Sequence, residues 1–258
     1  MTQTAAAAPR AVDYRLDVLI VGYPGRTTCH GGLGWSTVAL LSNRDRRIVV
    51  DVSSFGARPQ LEAQLRAAGF GPNDITDVLL THSHWDHVVN WTLFPNAQVV
   101  ISDAELAWAA KQAPGEGNVP ELYVRALADS PRVRRVHDGE EVAPGIVAHA
   151  ATGHTPGHLV YVATGTEHDI IFTGDSAKNR AELLSRTVDM TVDSASSVRT
   201  IEKIWGLWKK RPGNVLVPGH DVMMGLRDGQ PSYLAERQAG IRAWLGTDLG
   251  DRKLIDLT

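Results

Sequence analysis

The sequence predicts β-sheet covered by helices, on three observations. Short apolar runs rich in β-branched residues recur along the chain, amphipathic helical stretches fall between some of them, and the order begins with strands before helices mix in. A hydrophobic content of 43% over 258 residues is ample for a substantial core.

Taken in order, LDVLIVG (16–22), WSTVALL (35–41), RIVVDV (47–52), DVLLT (77–81), QVVIS (98–102), LVYVA (159–163), DIIFTG (169–174) and NVLVPG (214–219) read as strands. Each is short, and its near-continuous hydrophobicity marks it as buried. PQLEAQLRAAG opens a helix with Pro59, places Leu61, Leu65 and Ala68 on one face and stops at Gly69. In SVRTIEKIWGLWKK, Val198, Ile201, Trp205 and Trp208 step by three, four and three, which predicts an amphipathic helix with both tryptophans in the core. APGEGNVP (113–120) is a loop too short to link domains. The expected organisation is a loose tail over residues 1–10 and one domain over 11–258.

Composition excludes several classes. With 26 basic and 29 acidic residues the chain lacks the basic field that nucleic acid requires, and Arg132, Arg134 and Arg135 are expected to cap an edge strand. The single cysteine, Cys29, permits neither an intrachain disulfide nor a cysteine-built metal site. The start, MTQTAAAAPRAV, does not read as a secretion signal and no run approaches the roughly 18 apolar residues of a membrane span, so the expectation is a cytoplasmic protein without a membrane partner.

Four buried runs end in metal-binding residue types. DVLLT leads into His82, His84, Asp86 and His87, VAHAATG into His154, DIIFTG into Asp175, and NVLVPG into His220. Side chains on neighbouring strand ends can converge, so one site fed from four places is expected. His82 and His84, two apart, face the same way in an extended segment, whereas Asp86 and His87 follow where the chain turns toward a helix. Two ligand groups leaving one loop in different directions suit two adjacent metals. Imidazole and carboxylate without thiolate suit zinc, with iron or manganese as alternatives. Lone histidines such as His30, His137, His149 and His168 are expected to be ordinary. In GHTPGH, His158 is expected to support the site by hydrogen bonding, since Pro156 and Gly157 turn the chain before it.

These residues resemble the metallo-β-lactamase superfamily. The resemblance rests on H-x-H-x-D-H at His82 to His87, G-H-T-P-G-H at Gly153 to His158, T-G-D at Thr173 to Asp175 and P-G-H at Pro218 to His220, in the family's order. It implies an α+β fold, a four-layer αββα sandwich of two mixed sheets flanked by helices, with the site at one sheet edge. It also implies a first metal held by His82, His84 and His154, a second by Asp86, His87 and His220, and Asp175 shared by both. Asp51, in IVVDV, matches a buried aspartate beneath the site.

Departures from the family's branches narrow the expected chemistry. Antibiotic-hydrolysing members generally carry cysteine or serine where Asp175 stands, glyoxalase II adds a long helical C-terminal segment that the 38 residues after His220 do not suggest, and nucleases insert a domain or show basic surfaces. The best remaining similarity is to compact lactonases and related ester or thioester hydrolases, although the tyrosine those lactonases place after the bridging aspartate is replaced here by Ser176, Ala177, Lys178, Asn179 and Arg180. The expected reaction is attack of a metal-bridging hydroxide on the carbonyl of a small-molecule substrate, with Asp86 and Asp175 as the catalytic carboxylates and Asp86 passing the proton to the leaving group. The competing readings are a β-lactamase, an iron-dependent oxidoreductase of the persulfide dioxygenase kind and a binding module that has lost activity. Lys178 or Arg180 either complements a charge on the substrate or lies on a solvated face, and Trp85 either walls the substrate or packs under its loop. The glycine-rich loop 23–34 is either a cover over the site or a hairpin turn. Exposed tryptophan-containing segments leave room for a homodimer.

Overall fold

The structure, a computed structural model, describes residues 10–29, 31–115 and 117–258. The expected tail, Arg10 excepted, and His30 lie outside the described residues. The first sheet has strands β1 (Arg15–Ile20), β2 (Val38–Ser42), β3 (Arg47–Val50), β4 (Asp77–Leu79), β5 (Gln98–Ser102) and β6 (Val133–Val136), adjacent in that order. The first three are antiparallel and the last three continue from β3 in parallel. The second sheet has β7 (Glu141–Ala143), β8 (Ile146–Ala150), β9 (Leu159–Thr164), β10 (Asp169–Gly174), β11 (Val215–Pro218), β12 (Met224–Arg227) and β13 (Gln230–Tyr233). Among the described residues its only parallel pair is β10 with β11.

Alternation along the strands sorts the apolar side chains into layers. Leu41, Ile48, Val50, Leu79 and Val100 of the first sheet meet Ala148, Tyr161, Phe172 and Val217 of the second in a core between the sheets. The opposite residues of the first sheet, including Leu40, Val49, Val78 and Val99, are covered by helices α1 (Arg58–Ala67), α3 (Asp103–Ala109) and α4 (Glu121–Ala128). On the outer face of the second sheet, Val160, Val162, Ile171 and Leu216 pack against α5 (Arg180–Ser185) and α6 (Ser194–Lys209). The one-turn α2 (Trp85–Val88) belongs to the site. Burial on both faces is why these strands read as continuous apolar runs. The architecture is the four-layer αββα sandwich.

The two helices expected from periodicity form, with one difference. Val198 is 40% exposed, whereas Ile201, Trp205 and Trp208 are buried, and Ile204 completes the stripe in its place. Strand β6 carries Arg134 and Arg135 at the edge of the first sheet, where Arg134 donates to the carbonyls of Glu141 and Val142 and Arg135 pairs with Asp103. The chain after β13 forms a separate hairpin, β14 (Gly240–Trp244) with β15 (Arg252–Asp256), that pairs with neither main sheet. Among the described residues no helix is long and apolar enough to cross a membrane.

Trp208 is fully buried and donates from Nε1 to the Asn214 carbonyl at 3.0 Å. Trp208→Ala is expected to cost about 3–5 kcal/mol through the cavity it leaves, against about 0.5 kcal/mol or less for Val198→Ala on the same helix. Urea unfolding with an unchanged denaturant slope checks this, and equal midpoint shifts for the two would contradict the packing.

Candidate active site

The motif residues converge at one edge of the sandwich, where parallel strands end and the chain must turn. His82, His84, Asp86 and His87 follow β4, His154 and His158 lie in the β8–β9 connection, Asp175 follows β10 directly, and His220 follows β11. Possible donor atoms approach within 4.8 Å of one another in three overlapping sets: His82, His84 and His154; His82, His87 and Asp175; Asp86, His87 and His220. Asp175 sits between the outer two. Its Oδ2 is 3.3 Å from His154 Nε2, while its Oδ1 is 3.2 Å from both His87 Nε2 and His220 Nε2. Asp86 Oδ2 lies 3.3 Å from His220 Nε2. Gly219 is required by this approach, because a Cβ there would stand 2.6 Å from Asp175 Oδ1.

The rings are oriented from behind. Asp51, buried and held at a φ of 52°, accepts the Thr81 N–H, the Thr81 hydroxyl and the His87 Nδ1–H, each at 2.8 Å. With its hydroxyl proton committed to Asp51, Thr81 Oγ1 accepts from His82 Nδ1 at 3.1 Å, so His82 Nε2 and His87 Nε2 are turned toward the site. His158 accepts the Asp175 N–H at Nε2, 3.0 Å away, and belongs to none of the three donor sets.

The donor set fits divalent metal. His82 Nε2 and Asp175 Oδ1 are buried without a hydrogen-bond partner, and His84 Nδ1 faces His154 Nε2 at 2.9 Å. An unsatisfied buried polar atom costs about 1–3 kcal/mol, which a shared cation removes. Hard oxygen and borderline nitrogen donors without sulfur suit zinc, and iron or manganese as well.

Charge divides the histidines. Burial pushes His82 and His154 well below the usual imidazole range, and takes His84 to about 4 and His158 to about 3. Burial acts the same way on His87 and His220, but the Asp175 and Asp86 carboxylates, joined at His87 by Asp51, outweigh it and raise both. For Asp175, burial would raise the carboxyl, yet His220, His87 and His154 hold it well below the ordinary range.

A cavity of about 580 Å³ opens over these groups, in the range of small-molecule sites. Trp85, 40% exposed, lies in its wall. Loop 23–34 provides another wall through Tyr23, Pro24, Gly25 and Arg26; it contains a short hairpin, Arg26–Thr27 with Gly31–Gly32, and is anchored by the Tyr23 ring stacked on Trp35 and by Arg26 paired with Asp189 at 2.7 Å. Lys178 lines the cavity, but its Nζ is engaged by Glu182 at 3.1 Å and by the Asp189 carbonyl at 2.7 Å. Arg180 is a correction: it is absent from the cavity lining, its guanidinium lying 5.7 Å from the Tyr233 ring centroid while Nε donates to the Pro231 carbonyl. The helix beginning at Arg180 turns that side chain toward β13.

Sequence reasoning missed Asn118 and Met190 in the cavity wall and Glu105 behind the histidines. Asn118 and Met190 lie in connecting stretches with no motif. Glu105 looks in the sequence like any acid in a first helical turn.

A sandwich that gathers imidazoles and carboxylates from several strand ends into one buried cluster defines a metal-binding αββα protein. The chain belongs to the metallo-β-lactamase superfamily, whose family model matches residues 31–220. An N-acyl homoserine lactonase of Bacillus sp is 22% identical over 160 residues, covering 61% of this chain and 60% of the relative. Human metallo-beta-lactamase domain-containing protein 1 is 28% identical over 196 residues, covering 73% and 63%. The chain thus spans about three fifths of the length of the curated relatives it matches. Among solved structures, a dizinc quorum-quenching lactonase in complex with a product superposes with a TM-score of 0.64 at 19% identity, over 78% of this chain and 79% of that one. The AiiA protein of Bacillus thuringiensis, with N-decanoyl-L-homoserine at its active site, gives 0.65 at 16%, over 83% and 95%. At these identities the structural likeness is one of fold.

Because metal must displace protons from His87 and His220 but finds His82, His84 and His154 already neutral near pH 7, zinc uptake by chelator-treated protein is expected to be unequal. The group containing His87 and His220 should bind more weakly as pH falls from about 8 to about 6 and release protons on filling, and the other group should change less. Calorimetric titration in buffers of different ionisation enthalpy checks this; the same pH dependence at both groups would contradict it.

Proposed function

We propose that this protein is a dinuclear metal hydrolase, with zinc as its metal, that cleaves a lactone or a related ester or thioester of a small molecule. The observation that carries the reading is the position of Asp175, which turns one carboxylate oxygen toward His154 and the other toward His87 and His220. His82, His84 and His154 would hold one ion, Asp86, His87 and His220 the other, and Asp175 would serve both. Two such ions supply hydroxide at neutral pH and withdraw charge from a carbonyl oxygen.

The remaining work falls to the chain itself. Asp51 and Thr81 keep the imidazole tautomers fixed, so that their free nitrogens stay directed at the site. Asp86 lines the cavity and can hold a proton at its carboxylate and return it to a leaving group. Trp85, Tyr23 and Pro24 give the substrate an apolar wall. The lactonases among the relatives support a lactone as the leading substrate class.

The test is turnover by zinc-loaded protein across aliphatic and acyl-amino lactones, simple esters, acyl-glutathione thioesters, β-lactams and a phosphodiester, followed by proton release. Asp175→Ala is expected to lose about one metal equivalent and more than about a hundredfold in kcat/KM, since changes behind a ligand already cost 10–100-fold. Full activity in that variant, or no turnover of any carbonyl substrate with two metals bound, would reject the reading.

A further inference from the structure

Glu105 lies in the first turn of α3, has no exposed surface and forms no ion pair among the described residues. Its carboxylate joins two loops. Oε1 accepts the Ser83 N–H at 2.9 Å and the Ser83 hydroxyl at 2.6 Å, and Oε2 accepts the Thr155 hydroxyl at 2.7 Å and the Gly157 N–H at 3.1 Å. Ser83 stands between His82 and His84, Thr155 follows His154, and Gly157 precedes His158. The second loop also packs directly on the helix: a Cβ at Gly157 would lie 2.0 Å from the Glu105 nitrogen.

We propose that Glu105 is a positioning residue for the metal centre, a clamp that fixes the loop carrying His82 and His84 against the loop carrying His154. The three histidines form one donor set only if the two loops keep their spacing, and each loop gives Glu105 two hydrogen bonds. A carboxylate suits the task because it is acceptor-only, with enough lone pairs for four donors. The two hydroxyls can rotate, but the two backbone N–H groups cannot. Glutamine in this place would satisfy one loop and turn its own N–H bonds against the backbone donor of the other. Aspartate, one methylene shorter, would not reach both. The inference rests on the reading of the site as a metal centre.

The experiment measures zinc affinity by chelator competition and the thermal midpoint with and without zinc, for wild type, Glu105→Gln and Thr155→Val. Both variants are expected to bind zinc more weakly, Glu105→Gln by about 10–100-fold and Thr155→Val by less, and zinc should raise their midpoints by less than it raises that of wild type. Cobalt substituted into Glu105→Gln should show an altered visible ligand-field spectrum. Wild-type affinity in both variants, or equal midpoint losses with and without zinc, would overturn the clamp. If Glu105→Gln does not fold, Thr155→Val decides by the same readings. Wild type that takes up no zinc, cobalt, iron or manganese would overturn the metal reading, an outcome distinct from a wild type that binds metal no better than its variants.

Discussion

The carboxylate of Asp51 is the contact on which the rest of the site depends. It stands where β3 ends, in a left-handed conformation that few non-glycine residues adopt, and its three hydrogen bonds reach the end of β4 and the ring of His87. A carboxylate at 3% exposure is costly unless its lone pairs are filled, and here they are filled by the segment that must be held. Two imidazoles are oriented through it, His87 directly and His82 through the Thr81 hydroxyl.

The frame above Asp51 explains why the donors can come from so many places in the chain. The sheets are joined just beneath the site by the Tyr161 hydroxyl, which donates to the Leu80 carbonyl at 2.9 Å, and by the Leu159 N–H, which donates to the Thr81 carbonyl at 2.9 Å. Both bonds tie β9 to the segment leaving β4, so the two sheets cannot slide without breaking buried backbone contacts. The β11 loop is registered in the same way, with the His220 N–H on the Lys178 carbonyl and the Thr37 N–H on the Gly219 carbonyl. Asp221 adds a further anchor, taking the Arg180 N–H, the Tyr233 hydroxyl and the Arg237 guanidinium. Arg180 therefore belongs to the support of the His220 loop, which accounts for its absence from the cavity.

What could be read from the sequence follows from how locally each feature is encoded. Most of the eight apolar runs became strands buried on both faces, which is why they are near-continuously apolar, while the edge strand β1 is only half-buried. The histidine motifs stood out because their residue types are rare in such spacing. The edge strands β6, β7 and β13, and β12 beside β13, carry mixed sequences in which no apolar run marks a strand; β7 and β13 form hairpins with β8 and β12, whereas β6 pairs with the distant β5. Val198 shows the same limit on a helix: its spacing fits the stripe, but which neighbouring position faces the sheet is fixed by α6 docking on the second sheet. Glu105 is the clearest case, since nothing within its own helix marks it as the acceptor for loops 22 and 50 residues away.

The cavity wall also has an electrostatic order that no single motif displays. Arg26 and Asp189 pair at the surface, at 54% and 69% side-chain exposure, where solvent leaves such a pair worth little to stability. Lys178 and Glu182 pair at 13% and 7%, and Glu182 is further held by the N–H groups of Lys178 and Asp189. Burial raises the Glu182 carboxyl, and these contacts pull against that shift. Breaking this inner pair would leave a charge in a poorly solvated place, whereas breaking the outer one would not. The charged residues around the mouth are thus committed to holding the segment 178–190 beside the cavity. The carboxylates and imidazoles of Asp86, Asp175, His84, His154 and His220 line the same cavity, beside the aromatic rings of Trp85 and Tyr23.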